Sequence, residues 1–360
     1  MNNFRARKLM RDIIQKEKLC LEGLTVFTEA ATGPYKYNAI IAALSGADKV
    51  YALANDSKFA SKNEAKRITM EEASASRVNN VVEVIFDKDI STVGKSDIFT
   101  NSGFVRPINT KMVSMMKPTA VVSLMWESWE FRESDIDIEA CKRKQILVLG
   151  THESSENNDM YGYSGYLAMK LLFDLGLEGY KTNTLLLGGD YSLGEQIYNH
   201  FKSLNMEISW FSKDNPRSRR YEELEDMYVE NGSLIDVIIV ADHSFRGILI
   251  GKDGLLTPDL IRNVNPAMKI GVISGIVEGN ELCKYDIDYI PKDIRPFGFM
   301  SYQAYDLGPR PVLELFAAGL KVGETMARAR LSGMNVEQAA EHSIKNSSAQ
   351  DLLGELSWLN

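Results

Sequence analysis

The sequence predicts an α/β protein built from two Rossmann-like domains, each a doubly wound parallel sheet, with a ligand cleft between them. Three observations carry this. Short runs rich in Val, Ile and Leu alternate with helix-patterned stretches along most of the chain, as βαβ units require. The runs are nearly continuous in apolar residues, as in strands covered on both faces. The chain has 360 residues, enough for two domains of ordinary size.

Taken in order, the first domain spans 1–155. Strands are expected at LTVFTEA (24–30), KVYALA (49–54), VVEVIF (81–86), SDIFTN (96–101), TAVVSLM (119–125) and QILVLGT (145–151). Between them, stretches such as YKYNAIIAALSGA and NEAKRITMEEASAS are patterned as helices. The segment YGYSGYLAMKLLFDLGL (161–177) repeats apolar residues at helical spacing and so reads as a connecting helix. A second domain follows over 178–310, with strands at TNTLLLGG (182–189), MEISWFS (206–212), DVIIVAD (236–242), KIGVISG (269–275) and IDYIPK (287–292). The stretch PVLELFAAGLKVGETMARARL (311–331) carries an apolar stripe and opens on Pro311, which suits the first turn of a helix. It either closes the second domain or returns to the first. Residues 332–360 are expected to form a helical tail.

Composition removes several function classes. A net charge of -8 opposes a general affinity for nucleic-acid phosphate. No run approaches the roughly twenty apolar residues of a membrane span, and the opening MNNFRARKLMRDIIQKEK is charged and helix-like. A cytoplasmic protein without membrane partners is expected. Cys20, Cys141 and Cys283 are isolated from one another, so neither a disulfide framework nor a metal site is expected.

The most informative stretch is TLLLGGDYSLG (184–194), followed by the helix-like GEQIYNHFKSL and the strand MEISWFS. A glycine turn between strand and helix offers free N–H groups and a positive dipole to an anion. In the G-x-G-x-x-G fingerprint the glycines make the turn, admit the pyrophosphate and let helix and strand pack closely. Here Gly188 and Gly194 bracket five residues instead of four, with Asp190 near the middle position. The expected cofactor contacts are Gly188, Gly189, Asp190, Tyr191, Ser192, Leu193 and Gly194, with Asp242 and Ser274 at the ends of later strands. An ordinary strand-to-helix turn is the alternative. The second strand ends in Ser212 and Lys213, with Arg217 close behind. A small polar residue and basic neighbours accommodate a 2′-phosphate, so NADP is favoured over NAD unless these residues form only a solvated basic loop.

Substrate-binding candidates lie at strand ends, where open α/β sheets place ligands. TEAATGPYKYNA (28–39) offers Glu29, Tyr35 and Lys36, and NSGFVRP (101–107) offers Asn101 and Arg106. MWESWEFRE (125–133) offers Trp126 and Glu127. The planar fork of Arg106 suits a carboxylate or phosphate, the alternative being an ion pair with Glu127. The long segment RPFGFMSYQAYDLGPRP (295–311) adds Tyr302 and Arg310, since long loops often serve as binding elements. In GTHESSENNDMYGYSG (150–165), His152 and Tyr161 are placed to border the cleft, and His152 is one of only four histidines. An imidazole titrates near neutrality, so His152 is the expected acid or base and His243 its rival.

This order of segments resembles the D-isomer-specific 2-hydroxyacid dehydrogenase group, and more loosely formate dehydrogenase and adenosylhomocysteinase relatives. DGLLTPDLIRNVNPAMKIGVISGIVEGNEL (253–282) is similar to the segment in which that group carries its catalytic Arg after a helix and a strand. The resemblance implies a nicotinamide cofactor and hydride transfer by an Arg, Glu and His triad. The triad is not present: Ser274 or Gly275 stands at the Arg position, and no His occurs between His243 and His342. The resulting expectation is an NAD(P)-dependent oxidoreductase, homodimeric by analogy, acting on a small anionic substrate. The alternatives are a non-catalytic nucleotide-binding scaffold or sensor, and a transferase for an adenosyl or sugar nucleotide.

Overall fold

The computed structural model describes residues 3–155, 158–189 and 193–359. The chain divides into two compact units: Met1–Asp159 together with Pro309–Asn360, and Met160–Gly308.

In the first unit, six strands form in the expected places: β1 (Thr25–Glu29), β2 (Lys49–Leu53), β3 (Val82–Ile85), β4 (Ile98–Thr100), β5 (Val121–Ser123) and β6 (Leu147–Thr151). They pair in parallel in the order β3-β2-β1-β4-β5-β6. The winding direction reverses between β1 and β4, which makes their carboxyl ends the topological switch point. Phe27 of β1 stacks on Phe99 of β4 at 5.4 Å, tying the two strands below that point.

The helix expected at 311–331 spans Pro309–Leu331 and belongs to this first unit. Its close approach to the sheet depends on two glycines a turn apart. A Cβ on Gly319 would fall 2.5 Å from Met125 Sδ, and one on Gly323 2.6 Å from Ile98 Cγ2. Ser123 Oγ donates to the Gly319 carbonyl at the same contact. The tail after Leu331 contains the helix Val336–Asn346, opened by an Asn335/Gln338 capping box. It also contains a strand, Ala349–Gln350, that pairs antiparallel with β6. So short a strand has no periodicity to read, and the expected helical tail omits it.

The second unit repeats the plan with β7 (Thr184–Gly188), β8 (Ile208–Ser212), β9 (Arg219–Arg220), β10 (Val237–Ala241), β11 (Lys269–Ser274) and β12 (Asp288–Ile290). All pair in parallel, in the order β9-β8-β7-β10-β11-β12. Only β9, in the basic segment read as loop, was not expected. Successive strand residues serve opposite faces. Leu185, Leu187, Ile238 and Val240 join one core, whereas Leu186, Ile239 and Ala241 join the other. This is why the strands read as continuous apolar runs. Among the described residues no helix is long and apolar enough to cross a membrane, and no group of three or more His, Cys, Asp or Glu could hold a metal ion.

Candidate functional site

The switch point of the second unit lies where β7 and β10 end. Gly188 closes β7, and Gly194 stands in the first turn of the helix Leu193–Ser203. The two are in backbone contact: a Cβ on Gly194 would lie 2.8 Å from the Gly188 Cα, and one on Gly188 would lie 2.9 Å from the Gly194 Cα. Neither position admits a side chain, which is the helix-on-strand packing that the fingerprint's glycines serve. Trp210 Nε1–H holds the turn by donating to the Gly188 carbonyl at 3.0 Å. Asp190, Tyr191 and Ser192, expected to complete this turn, lie outside the described residues.

Across the switch point, a Cβ on Gly189 would meet Asp242 Oδ1 at 2.4 Å. Asp242 is fully buried. Its Oδ1 accepts from the Ser244 and Phe245 N–H groups, both at 2.9 Å, and from Ser244 Oγ at 2.8 Å. Its Oδ2 accepts from the Tyr221 hydroxyl at 2.7 Å. Burial, then the Asp242 charge, drives that phenol far above its usual range. With four donors already on it, Asp242 ties the loop after β10. His243 follows within the same loop and is buried. Ser274 is buried at the end of β11, its carbonyl accepting from the Asp242 N–H at 3.1 Å.

The end of β8 is closed by its own hydrogen bonds. Ser212 Oγ accepts from Asn215 N–H at 3.0 Å and shares a hydrogen bond with Ser218 Oγ at 2.6 Å. Arg217 is paired with Glu195 and donates to Asn199 Oδ1 at 3.0 Å. Arg219 is 3.0 Å from Glu223, and Arg220 donates to the Lys213 carbonyl at 2.6 Å. The basic run is thus largely matched by nearby acceptors. Tyr302 is buried with its hydroxyl on Asp174, and burial followed by that hydrogen bond pushes it up to about 12. Tyr161 sits in the short turn Tyr161–Tyr163 before the helix Ser164–Asp174.

In the first unit the structure brings Glu29, Asn101, Arg106, Glu127 and His152 to the carboxyl ends of β1, β4, β5 and β6. A buried hydroxyl chain pins β1 to β4 beneath them. Thr28 and Thr100 are 2.9 Å apart, Thr100 and Ser102 are 2.7 Å apart, and Asn38 Nδ2 donates to Ser102 at 3.0 Å. Glu29 is 5% exposed, and its Oε2 accepts from the Phe104 N–H at 3.2 Å. Burial raises its carboxyl to about 7, against the opposing pull of the Phe104 hydrogen bond, the Arg106 charge and the Gly103 backbone.

Arg106 is not paired with Glu127. Its Nη1 donates to Asp135 at 2.8 Å, and Asp135 also holds Arg132 at 3.3 Å. The two guanidiniums stand over the Trp126 ring at 5.0 and 5.4 Å. Glu127 instead accepts from the Glu153 N–H at 3.0 Å and lies 3.6 Å from His152 Nδ1. The Glu153 carboxyl is raised well above the usual range by burial, then by the charges of Glu130 and Glu127. His152 is 43% exposed, and its Nδ1 accepts from the Ser154 N–H at 3.2 Å. That bond places the ring proton of neutral His152 on Nε2.

Three expected contacts fall elsewhere in this unit. Lys36 turns to the buried Glu72 at 3.3 Å. Tyr35 packs its ring 6.3 Å from that of Phe316, and Arg310 pairs with Glu314 at 3.3 Å on the long helix. Conversely, Gly103, Arg132 and Asp135 belong to the cluster and were not singled out from sequence. The only local signal for the last two is the R-x-x-D spacing in FRESD. Three donors here are buried without a partner: Asn101 Nδ2, Arg106 Nε and Trp126 Nε1. Each such group costs about 1–3 kcal/mol and calls for an acceptor.

No family model and no curated protein matches the sequence. Among solved structures, a dipicolinate synthase from Bacillus halodurans superposes with a TM-score of 0.52 at 10% identity, covering 83% of this chain and 96% of that one. A 2-hydroxyacid dehydrogenase from Ketogulonicigenium vulgare Y25 gives a TM-score of 0.48 at 10% identity, over 87% of this chain and 96% of that one. An NAD-dependent formate dehydrogenase from Staphylococcus aureus in complex with NAD gives 0.41 at 12% identity, over 78% and 95%. The likeness is one of fold. At that level the α/β architecture and the resemblance to the dehydrogenase group both hold.

Proposed function

We propose that the chain is a cytoplasmic, homodimeric NAD(P)-dependent oxidoreductase acting on a small anionic substrate. The observation that carries this reading is the backbone contact of Gly188 with Gly194 at a switch point, where a Rossmann sheet receives a dinucleotide. Gly188, Gly189 and Gly194 clear the turn, and the amino end of the helix Leu193–Ser203 offers N–H groups to the diphosphate. A bound nicotinamide dinucleotide supplies hydride acceptance or donation. β8 ends in Ser212 with Lys213 beside it, in place of a carboxylate, which favours a 2′-phosphate and hence NADP over NAD. Arg217 reaches that phosphate only by leaving Glu195.

The first unit supplies the substrate contacts. Arg106 and Asn101 anchor the anion, and His152 Nε2 exchanges a proton with it. Calorimetry and thermal shift with NADH, NADPH, S-adenosylmethionine and UDP-glucose test the reading. Stabilisation by the nicotinamide dinucleotides alone is expected. Stabilisation only by S-adenosylmethionine or UDP-glucose would make the chain a transferase instead.

A further inference from the structure

The carboxyl end of the first sheet holds an unusual combination. One edge of a guanidinium, an indole N–H and an amide N–H are left without acceptors beside a buried carboxyl. The adjacency is continuous. Asn101 Oδ1 accepts from Met125 N–H at 2.8 Å, Trp126 follows Met125, and Arg106 lies over the Trp126 ring. Arg106 in turn neighbours Glu29 across Gly103, where a Cβ would lie 3.3 Å from Glu29 Oε2 and 3.9 Å from Arg106 Nη2. Asp135 occupies Arg106 Nη1. What remains is the Nε–Nη2 edge, two parallel N–H groups that match the two oxygens of a carboxylate.

We propose that this cluster binds a small monocarboxylate on the free edge of Arg106, with Asn101 Nδ2 and Trp126 Nε1 as further donors, and that binding is coupled to uptake of one proton by Glu29. This rests on the oxidoreductase reading only in taking the carboxylate as substrate. Binding adds a negative charge close to Glu29, which disfavours the ionised form of that side chain. Deprotonated Glu29 therefore accepts a proton from solvent as the anion enters, forming one O–H bond, and releases it as the anion leaves. With Glu29 already poised near neutrality by burial, the linkage operates in the physiological range. Arg106 is the charged side chain acting on Glu29. Farther out stand Asp135, Arg132 and Glu130 around the Arg–Trp stack, and Glu127, Glu153 and His152 at the ends of β5 and β6. Lys88 donates to the Val105 carbonyl at 2.6 Å, and burial brings its amine down to about 8.

The test is calorimetry on the full chain with acetate, pyruvate and inorganic phosphate as probes, in buffers of different ionisation enthalpy just above neutral pH, with and without NADPH. The wild type is expected to bind a monocarboxylate, to prefer it to phosphate, and to take up most of a proton. Affinity should fall about tenfold per pH unit above the Glu29 midpoint. Glu29→Gln should still bind but without proton uptake or pH dependence. Arg106→Lys should weaken binding at least tenfold, because a point charge replaces the fork. If Glu29→Gln misfolds, infrared difference spectra of the wild type replace it, and a protonated-carboxyl band must grow as pyruvate is added. Undiminished proton uptake in Glu29→Gln would move the proton to His152 or Lys88 and overturn the proposal, as would an absence of carboxylate binding. A chain that binds carboxylate with proton uptake but no dinucleotide would refute the oxidoreductase reading and leave this inference standing.

Discussion

The two sheets share one strand order, so topology gives each the same place for a ligand, yet the two places are furnished in opposite ways. In the second unit the switch point is stripped to Gly188, Gly189 and Gly194, and its one charged side chain, Asp242, is saturated by four donors. In the first unit the switch point is crowded with side chains, and three of their donors have no acceptor. A site made of bare backbone suits a ligand with many acceptors, such as a diphosphate. A site of stranded side-chain donors suits a compact anion. Strand order locates both sites, and the state of their hydrogen bonds says what each one lacks.

That contrast can be broken from either side. The largest effect is expected in the first unit, where His152→Gln keeps size and hydrogen bonding but removes titration. A proton-transfer step should slow by roughly two to four orders of magnitude, read as single-turnover rate and pH profile against a His243→Gln control. Equal losses in both variants would remove the distinction between these histidines.

In the second unit, Gly194→Val forces a side chain into the Gly188 backbone. It should cost about 3 kcal/mol of packing, and dinucleotide affinity should fall roughly a hundredfold. Calorimetry with NADH and NADPH on the folded fraction measures it, and unchanged affinity would detach the turn from the cofactor.

The buried carboxyl sharpens the comparison without any ligand. A carboxyl whose folded value is raised stabilises the fold fully below its unfolded value of 4.5, and that contribution is lost as pH rises through about 7. At about 1.4 kcal/mol per unit, the wild type should lose about 3 kcal/mol relative to Glu29→Gln across that window. Urea denaturation of both proteins at a series of pH values reads the difference directly. A constant difference would mean that Glu29 is ionised throughout.

The smallest effect concerns cofactor choice. Glu195→Gln releases Arg217 from a half-exposed ion pair of the kind worth under about 1 kcal/mol, so preference for NADPH over NADH should rise only a few-fold. No change in the ratio of the two dissociation constants would place the 2′-phosphate away from Arg217.

Much of this was legible in the sequence, for a physical reason. Strands such as TLLLG and VIIVA are buried on both faces, so hydrophobicity alone marks them, and the glycine turn is marked by the residues around it. Side-chain pairing is not local. Nothing near Arg106 in sequence says that Asp135 rather than Glu127 will hold it. Nothing in SKDNPRSRR says that Glu195 and Glu223, on the flanking helical segments, will neutralise two of its arginines. Tyr302 looked available in a loop rich in Gly and Pro, but Asp174, far away in the chain, takes its hydroxyl. The partners of polar groups are decided by tertiary contacts, and there the sequence reading needed the structure.

The return of the helix Pro309–Leu331 to the first unit has a consequence for how the chain is made. The second unit is an insertion whose residues all leave the ribosome before the first unit is complete. Until Gly319 and Gly323 emerge, the faces of β4 and β5 that they cover remain bare, and β6 has an open edge until Ala349–Gln350 arrives. Domains tend to fold as units during synthesis, so the inserted unit should reach its native state while the older, amino-terminal part is still waiting. Chains stalled after Gly308 should therefore resist protease between Met160 and Gly308 but be cut within 1–159. The opposite pattern would show that the first sheet stands without its late helix.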